Sequence, residues 1–425
     1  MAEHIPGRGR AIAGFALGAT FFGYAFLLRV QPSVIVADLM RDFAVGAAAL
    51  GGLSAFYFYA YAGMQVPVGM LMDRFGPRRL MSVALLFCAL GLTLFALAPV
   101  LELAALGRVM VGAGAAFSFL GALTVAVRGL PPRHFGLLTG LLQALGMAGA
   151  VVGQAPFRWL VEHSDGWREA SLWLAGFGFL LALAVFLIVR DGPKPGGAGA
   201  EPAAQRPKGA TTAVLGNLQT WWAAIVSFLM TMVLLAFAGL WAVPFLVQGH
   251  DLSNAQAASL LSLFFIGWAI GSLGAGGLSD RLGLRRPPIL VGATVGLGSL
   301  SAFIYWADPA SVVGAGLLLL AGIGCGTMIL TYALARESNH PAAAGTAMGL
   351  ANMATVGSGA VMQPVIGALL DLNWTGGTVG GVPVYTLENF RAAFLVFPVC
   401  LILAIAITAF LLRETGPGRR VQEIR

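Results

Sequence analysis

A chain of 425 residues that is 58% hydrophobic and only 10% charged cannot clothe itself in polar surface, since an ordinary soluble domain carries roughly 25% charged residues. Its 58 glycines follow no Gly-X-Y period, which excludes a collagen-like rod and suits close helix packing in lipid. The net charge of +7 points towards nucleic acid only until its distribution is considered. A membrane span needs about 20 predominantly apolar residues. Such runs fall at 11–38, 47–72, 79–98, 102–128, 134–160 and 168–190, and again at 217–247, 254–278, 287–306, 310–336, 341–371 and 388–413. The first run is too long for the apolar stretch of a cleaved leader, so it is expected to stay in the membrane as an anchor.

The expected fold is an all-α integral membrane protein of about twelve spans. A polar segment rich in Pro and Gly, 191–216, reads as a cytoplasmic linker between an N-terminal six-helix bundle, 1–190, and a C-terminal one, 217–425. With the N-terminus inside, nineteen of the 25 Lys and Arg fall on the inner face, four on the outer face, and Arg29 and Arg108 within spans. Cytoplasmic loops of membrane proteins carry the basic excess. Both termini are therefore expected in the cytoplasm of a multi-pass inner-membrane protein. The basic residues mark that face and its contact with lipid, with no nucleic-acid partner. Cys88, Cys325 and Cys400 sit singly in apolar runs without metal-ligand spacing. Neither a metal nor a cofactor is expected.

The second and eighth runs end in related strings. Gly69-Met-Leu-Met-Asp73-Arg74-Phe-Gly76-Pro-Arg78-Arg79 and Gly276-Gly-Leu-Ser-Asp280-Arg281-Leu-Gly283-Leu-Arg285-Arg286 share the form G-x-x-x-D-R-x-G-x-R-R, 207 residues apart. A shared motif at equivalent places signals duplication of a six-helix unit. Asp73 and Asp280, beside Arg74, Arg78, Arg281 and Arg285, are placed to accept charge-assisted hydrogen bonds that latch one conformation and release in another. The repeated string resembles the signature loop of the major facilitator superfamily. Arg108-Val-Met-Val-Gly112-Ala-Gly114 resembles that family's R-x-x-x-G-x-G in the fourth helix. The resemblance implies two pseudo-symmetric six-helix bundles, a rocking-bundle transport mechanism, and a structural or coupling role for Arg108. The fifth run lacks the G-P-x-x-G-G string of the family's drug/proton antiporters.

A charge inside a span is costly and marks a functional candidate. Arg29 lies in Phe22-Gly23-Tyr24-Ala-Phe-Leu-Leu-Arg29-Val30-Gln31, which is similar to the first helix of the family's organic anion transporters. That resemblance implies that Arg29 grips a carboxylate or phosphate through its planar fork. Tyr57, Tyr61 and Gln65 share one face of the second helix at i, i+4 and i+8. Gln143, Asn352 and Gln363 are polar groups inside glycine-rich spans, available to a solute or to neighbouring helices. No catalytic constellation is present. Leu28, not a carboxylate, precedes Arg29, and the fourth span has no Asp or Glu in its apolar body. The reading is a monomeric carrier of a small organic anion, with a coupled proton or an exchanged anion as its second partner. The alternative is a carrier of a neutral, zwitterionic or amphipathic solute, drug efflux included.

Overall fold

The computed structural model describes residues 8–130, 135–191, 210–379 and 382–415. Eleven helices among the described residues are long and apolar enough to cross a membrane: Gly9–Phe43, Pro77–Leu97, Leu101–Gly129, Leu138–Glu162, Trp167–Ile188, Leu218–His250, Asn254–Leu282, Arg286–Tyr305, Val312–Glu337, Ala344–Leu372 and Leu387–Phe410. One further helix, Ala47–Phe75, occupies the place of the second apolar run. Counted with it, the spans are numbered first to twelfth below. The chain divides into two compact units, Met1–Val45 with Ala49–Pro202, and Gly46–Ala48 with Ala203–Arg425. Within the stretch read as a linker, Ala210–Gly216 is a short helix. A two-stranded antiparallel hairpin, Thr378–Val379 with Val382–Pro383, lies between the last two spans.

Several spans are not continuous α-helices, and proline explains where they break. Proline has no N–H and clashes with the carbonyl four residues back. The first span is α-helical over Arg8–Val30, tightens to a 3₁₀ turn over Gln31–Ile35 with Pro32 in its first turn, and resumes at Val36–Phe43. The fifth leaves the helix at Gln154 (φ −98°, ψ −109°) and restarts at Ala155, with Pro156 in the new first turn. The seventh changes to a π-helix over Val233–Trp241 before Ala242–His250, which contains Pro244. The eleventh runs through Pro364.

Within the first unit, the glycines of the fourth span permit backbone contact. A Cβ on Gly112 would collide with the carbonyl oxygen of Tyr57, and one on Gly114 would press on the carbonyl of Ala84. Packing at this closeness tolerates no added methylene. Gly112→Leu is expected to cost about 1–3 kcal/mol or more and to lower the melting temperature of the purified protein by several degrees. An unchanged melting curve would show that these helices are not in backbone contact.

The repeated loops serve a common structural purpose inside each unit. The Asp191 carboxylate accepts from the backbone N–H of Arg78 at 2.9 Å, at the start of the third span, while Arg78 Nε donates to the Phe186 carbonyl at 2.7 Å. In the second unit Glu414 accepts from the N–H of Arg285 (2.6 Å) and of Arg286 (3.1 Å), and Arg286 Nε donates to the Thr408 carbonyl at 3.1 Å. A carboxylate at a helix N-terminus satisfies free N–H groups and meets the positive end of the dipole. An arginine at the other helix's C-terminus satisfies its free carbonyls. A carboxylate just beyond the sixth helix of each unit thus staples its third helix to its sixth.

Candidate functional site

The Arg29 group is assembled wholly from the first unit. The turn before the break in the first span carries Arg29, which is 8% exposed. Its guanidinium carbon stands 4.3 Å from the Phe26 ring centroid, 5.2 Å from Tyr61, 5.5 Å from Tyr57 and 6.0 Å from Phe58. Tyr57 and Tyr61 stack with centroids 6.0 Å apart and planes 19° from parallel, as their i, i+4 spacing requires. Tyr57 donates from its hydroxyl to the Ala25 carbonyl at 3.3 Å, tying the second span to the first.

Arg108 joins the same group from the fourth span. It is 1% exposed, and its guanidinium carbon lies 5.1 Å from the Tyr57 centroid. Its Nη1 donates to the Leu28 carbonyl at 2.8 Å. Leu28 stands four residues before Pro32, so proline has removed the N–H that would have satisfied this carbonyl in an α-helix. The bond explains part of why a charge is tolerated here.

Among the described residues, neither arginine has a counter-ion. None of the ion pairs among the described residues includes Arg29 or Arg108, and Arg29 Nε with Arg108 Nε and Nη2 has no hydrogen-bond partner. Cation–π contacts return about 0.5–2 kcal/mol each, whereas an isolated buried charge costs several. The group therefore holds positive charge that aromatic rings compensate only in part. An entering carboxylate or phosphate would accept the unused N–H groups and supply the missing charge.

Other sequence candidates fall elsewhere. Gln65, one turn beyond Tyr61, is half-buried. Gln143 is half-buried on the fifth span and makes none of the hydrogen bonds or ring contacts of the Arg29 group. In the second unit the Tyr332 hydroxyl lies 3.0 Å from both Asn352 Oδ1, which accepts from it, and Thr355 Oγ1, and Thr355 lies 2.7 Å from Ser227. Gln363 is 1% exposed and donates from Nε2 to the Leu235 carbonyl at 2.7 Å. Sequence reasoning missed Phe26 and Phe58. Phe26 is one turn from Arg29, and that spacing was the available signal.

At the repeated loops, Asp280 pairs with Arg285 Nη1 at 2.7 Å, and Glu337 pairs with Arg285 Nη2 at 2.9 Å. Ser279 accepts from Arg285 Nη1 at 2.9 Å, and Thr415 donates to Glu337 at 2.8 Å. Hydrogen bonding to Glu337 first, and to Asp280 after it, holds the Arg285 guanidinium protonated above its ordinary range. Arg281 is exposed. The side chains of Asp73 and Arg74 lie outside the described residues. Among the described residues no group of three or more His, Cys, Asp or Glu is placed to hold a metal ion.

The family model of the Major Facilitator Superfamily matches residues 11–364. The chain belongs to that superfamily. Within it, the chain is 24% identical over 369 residues to a probable sulfoacetate transporter of Cupriavidus necator, covering 82% of this chain and 84% of the relative. It is 30% identical over 175 residues to a probable hexose phosphate transport protein of Chlamydia trachomatis, a match to 39% of this chain and 37% of that protein's length. The fold is similar to that of a bacterial homolog of the human lysosomal transporter Spinster, with a TM-score of 0.76, 18% identity, and coverage of 94% of this chain and 96% of the other. This member of a transporter superfamily is accordingly a multi-pass membrane protein, and two of the relatives above are described as probable transporters of organic anions, sulfoacetate and hexose phosphate.

Proposed function

We propose that this transporter carries a small organic anion, a carboxylate, sulfonate or phosphate, across the inner membrane by rocking-bundle alternating access, with Arg29 as the anchor. One observation carries the reading: a guanidinium buried in mid-span, ringed by Phe26, Tyr57, Phe58 and Tyr61, with no acidic partner among the described residues. Relatives described as probable sulfoacetate and hexose phosphate transporters support it. The basic bias of the loops supports placing both termini in the cytoplasm. The driving force is anion exchange or downhill flux, since among the described residues no carboxylate pairs with either arginine to carry a coupled proton.

A neutral or zwitterionic solute is the second reading. It draws on the polar cluster of the second unit, where Ser227, Tyr332, Asn352 and Thr355 bring hydroxyls and an amide but no charge.

A ligand panel separates the two. Melting of the purified transporter is measured with sulfoacetate, D-glucarate, glucose 6-phosphate, neutral sugars and amino acids. A ligand at 100 times its Kd stabilises by about 2.7 kcal/mol. Anions are expected to raise the melting temperature and neutral sugars to leave it unchanged. Stabilisation by neutral or zwitterionic solutes alone would reject the anion reading.

A further inference from the structure

The two units share a second feature, away from the charged loops. In each, the first helix loses α-geometry at mid-span, and a glutamine beside a proline on the fifth helix bonds into that irregular segment. In the first unit the segment is the 3₁₀ turn Gln31–Ile35. Gln154, two residues before Pro156, donates from Nε2 to Ser33 Oγ at 3.0 Å. In the second unit the segment is the π-helix Val233–Trp241. Gln363, next to Pro364, donates from Nε2 to the Leu235 carbonyl at 2.7 Å, and Trp241 Nε1 donates to the Gln363 carbonyl at 3.0 Å. Gln363 therefore binds the π segment near its start and at its end.

The correspondence is positional as well as chemical. The 207-residue offset of the repeated loops carries 31–35 onto 238–242, and carries position 154 onto 361, two residues before Gln363. The first-helix segments, Gln31–Ile35 and 238–242, share no residue, whereas both fifth helices carry a glutamine just before a proline.

The clasp of the second unit leaves one of its own polar atoms unmatched, and that of the first unit joins a turn in which the neighbouring Gln31 is unmatched. Gln31, Ser33, Gln154 and Gln363 are all buried. Yet Gln31 Nε2 and Oε1, and Gln363 Oε1, have no hydrogen-bond partner. A buried polar atom left unmatched costs free energy and calls for an explanation. A π segment inside an α-helix has a related meaning, since such bulges concentrate at functional sites. A joint closed by real hydrogen bonds but burdened with unsatisfied atoms is held less firmly than a saturated core. It is the kind of element that switches between two arrangements.

We propose that Gln363 with Trp241, and Gln154 with Ser33, are positioning residues that clamp the irregular midpoint of the first helix in each unit. Opening of the clasp is the step by which that helix changes its bend during transport. The proposal does not depend on the charge of the solute.

The seventh span offers a direct test without a ligand. Spin labels are placed at Leu218→Cys and Val247→Cys, with Cys400 replaced by alanine and the buried Cys88 and Cys325 retained, and the distance distribution is measured by pulsed electron resonance. Gln363→Leu removes both the donor to Leu235 and the unsatisfied oxygen. Trp241→Phe removes one N–H and keeps most of the ring, so it guards against failure of the first variant to fold. The parent is expected to give one dominant distance. Both variants are expected to add a second discrete distance, its population raised about tenfold for Gln363→Leu, as loss of one buried hydrogen bond allows. Hydrogen exchange at 31–35 should stay unchanged in these variants and rise in Gln154→Leu. A single distance identical to the parent's in both variants overturns the proposal. So does uniform broadening with a lowered melting temperature, the mark of a packing role alone.

Discussion

Arg29→Ala is expected to abolish anion-induced stabilisation and transport while the protein still folds. Removing one member of a buried charge-assisted contact costs about 2–5 kcal/mol, which is roughly 30-fold to several thousand-fold in affinity. The folded state should survive, and even gain, because the substitution removes a buried charge that has no counter-ion among the described residues. Arg29→Lys distinguishes charge from shape. Lysine keeps the charge but lacks the planar fork, so weakened binding with a measurable remnant is expected. The measurements are melting shifts with sulfoacetate and glucose 6-phosphate, and uptake of the same labelled anions into proteoliposomes. Full uptake by Arg29→Ala would end the assignment of the anchor.

The second large effect concerns coupling. Arg29 and Arg108 both lie buried around Tyr57 without a carboxylate among the described residues to balance them. An empty carrier that changes conformation must do so with this charge uncompensated, at a cost of several kcal/mol. Each 1.36 kcal/mol in a barrier is tenfold in rate. Preloading proteoliposomes with unlabelled anion is therefore expected to speed uptake of the labelled anion by at least about tenfold. An imposed pH gradient without internal anion should leave accumulation unchanged. Accumulation driven by the pH gradient in empty vesicles would overturn the exchange reading.

The Arg29 group shows how far a linear reading reaches. Tyr57 and Tyr61 were legible as one helix face, because side chains four apart on a helix must stack above one another. Arg29 was legible as a candidate because charge within an apolar run is rare. That Arg108 shares Tyr57 with Arg29 was not legible, since 79 residues separate them and only close packing of the fourth span, at Gly112, brings them to the same ring. The pairing of Arg108 with the Leu28 carbonyl was also hidden. It follows from Pro32, a residue that the apolar pattern treats as an ordinary member of the first span. Glu414 and Asp191 were hidden for a similar reason. Each closes a helix end distant in sequence, and nothing local distinguishes such a cap from a solvated acid.

The sequence by itself determined the membrane class, the all-helical fold and the superfamily. These depend on the length of apolar runs and on a motif whose spacing is local, and both survive in one dimension. The tertiary structure decided which polar residues inside the spans belong together. It put Arg29 and Arg108 around one tyrosine, kept Gln143 out of the hydrogen bonds and ring contacts of that group, and bonded Gln363 to the Leu235 carbonyl of a π-helix. Hydropathy cannot make those distinctions. In lipid a buried polar group must find a partner wherever packing presents one, and the partner is set by which helices touch, not by neighbours along the chain.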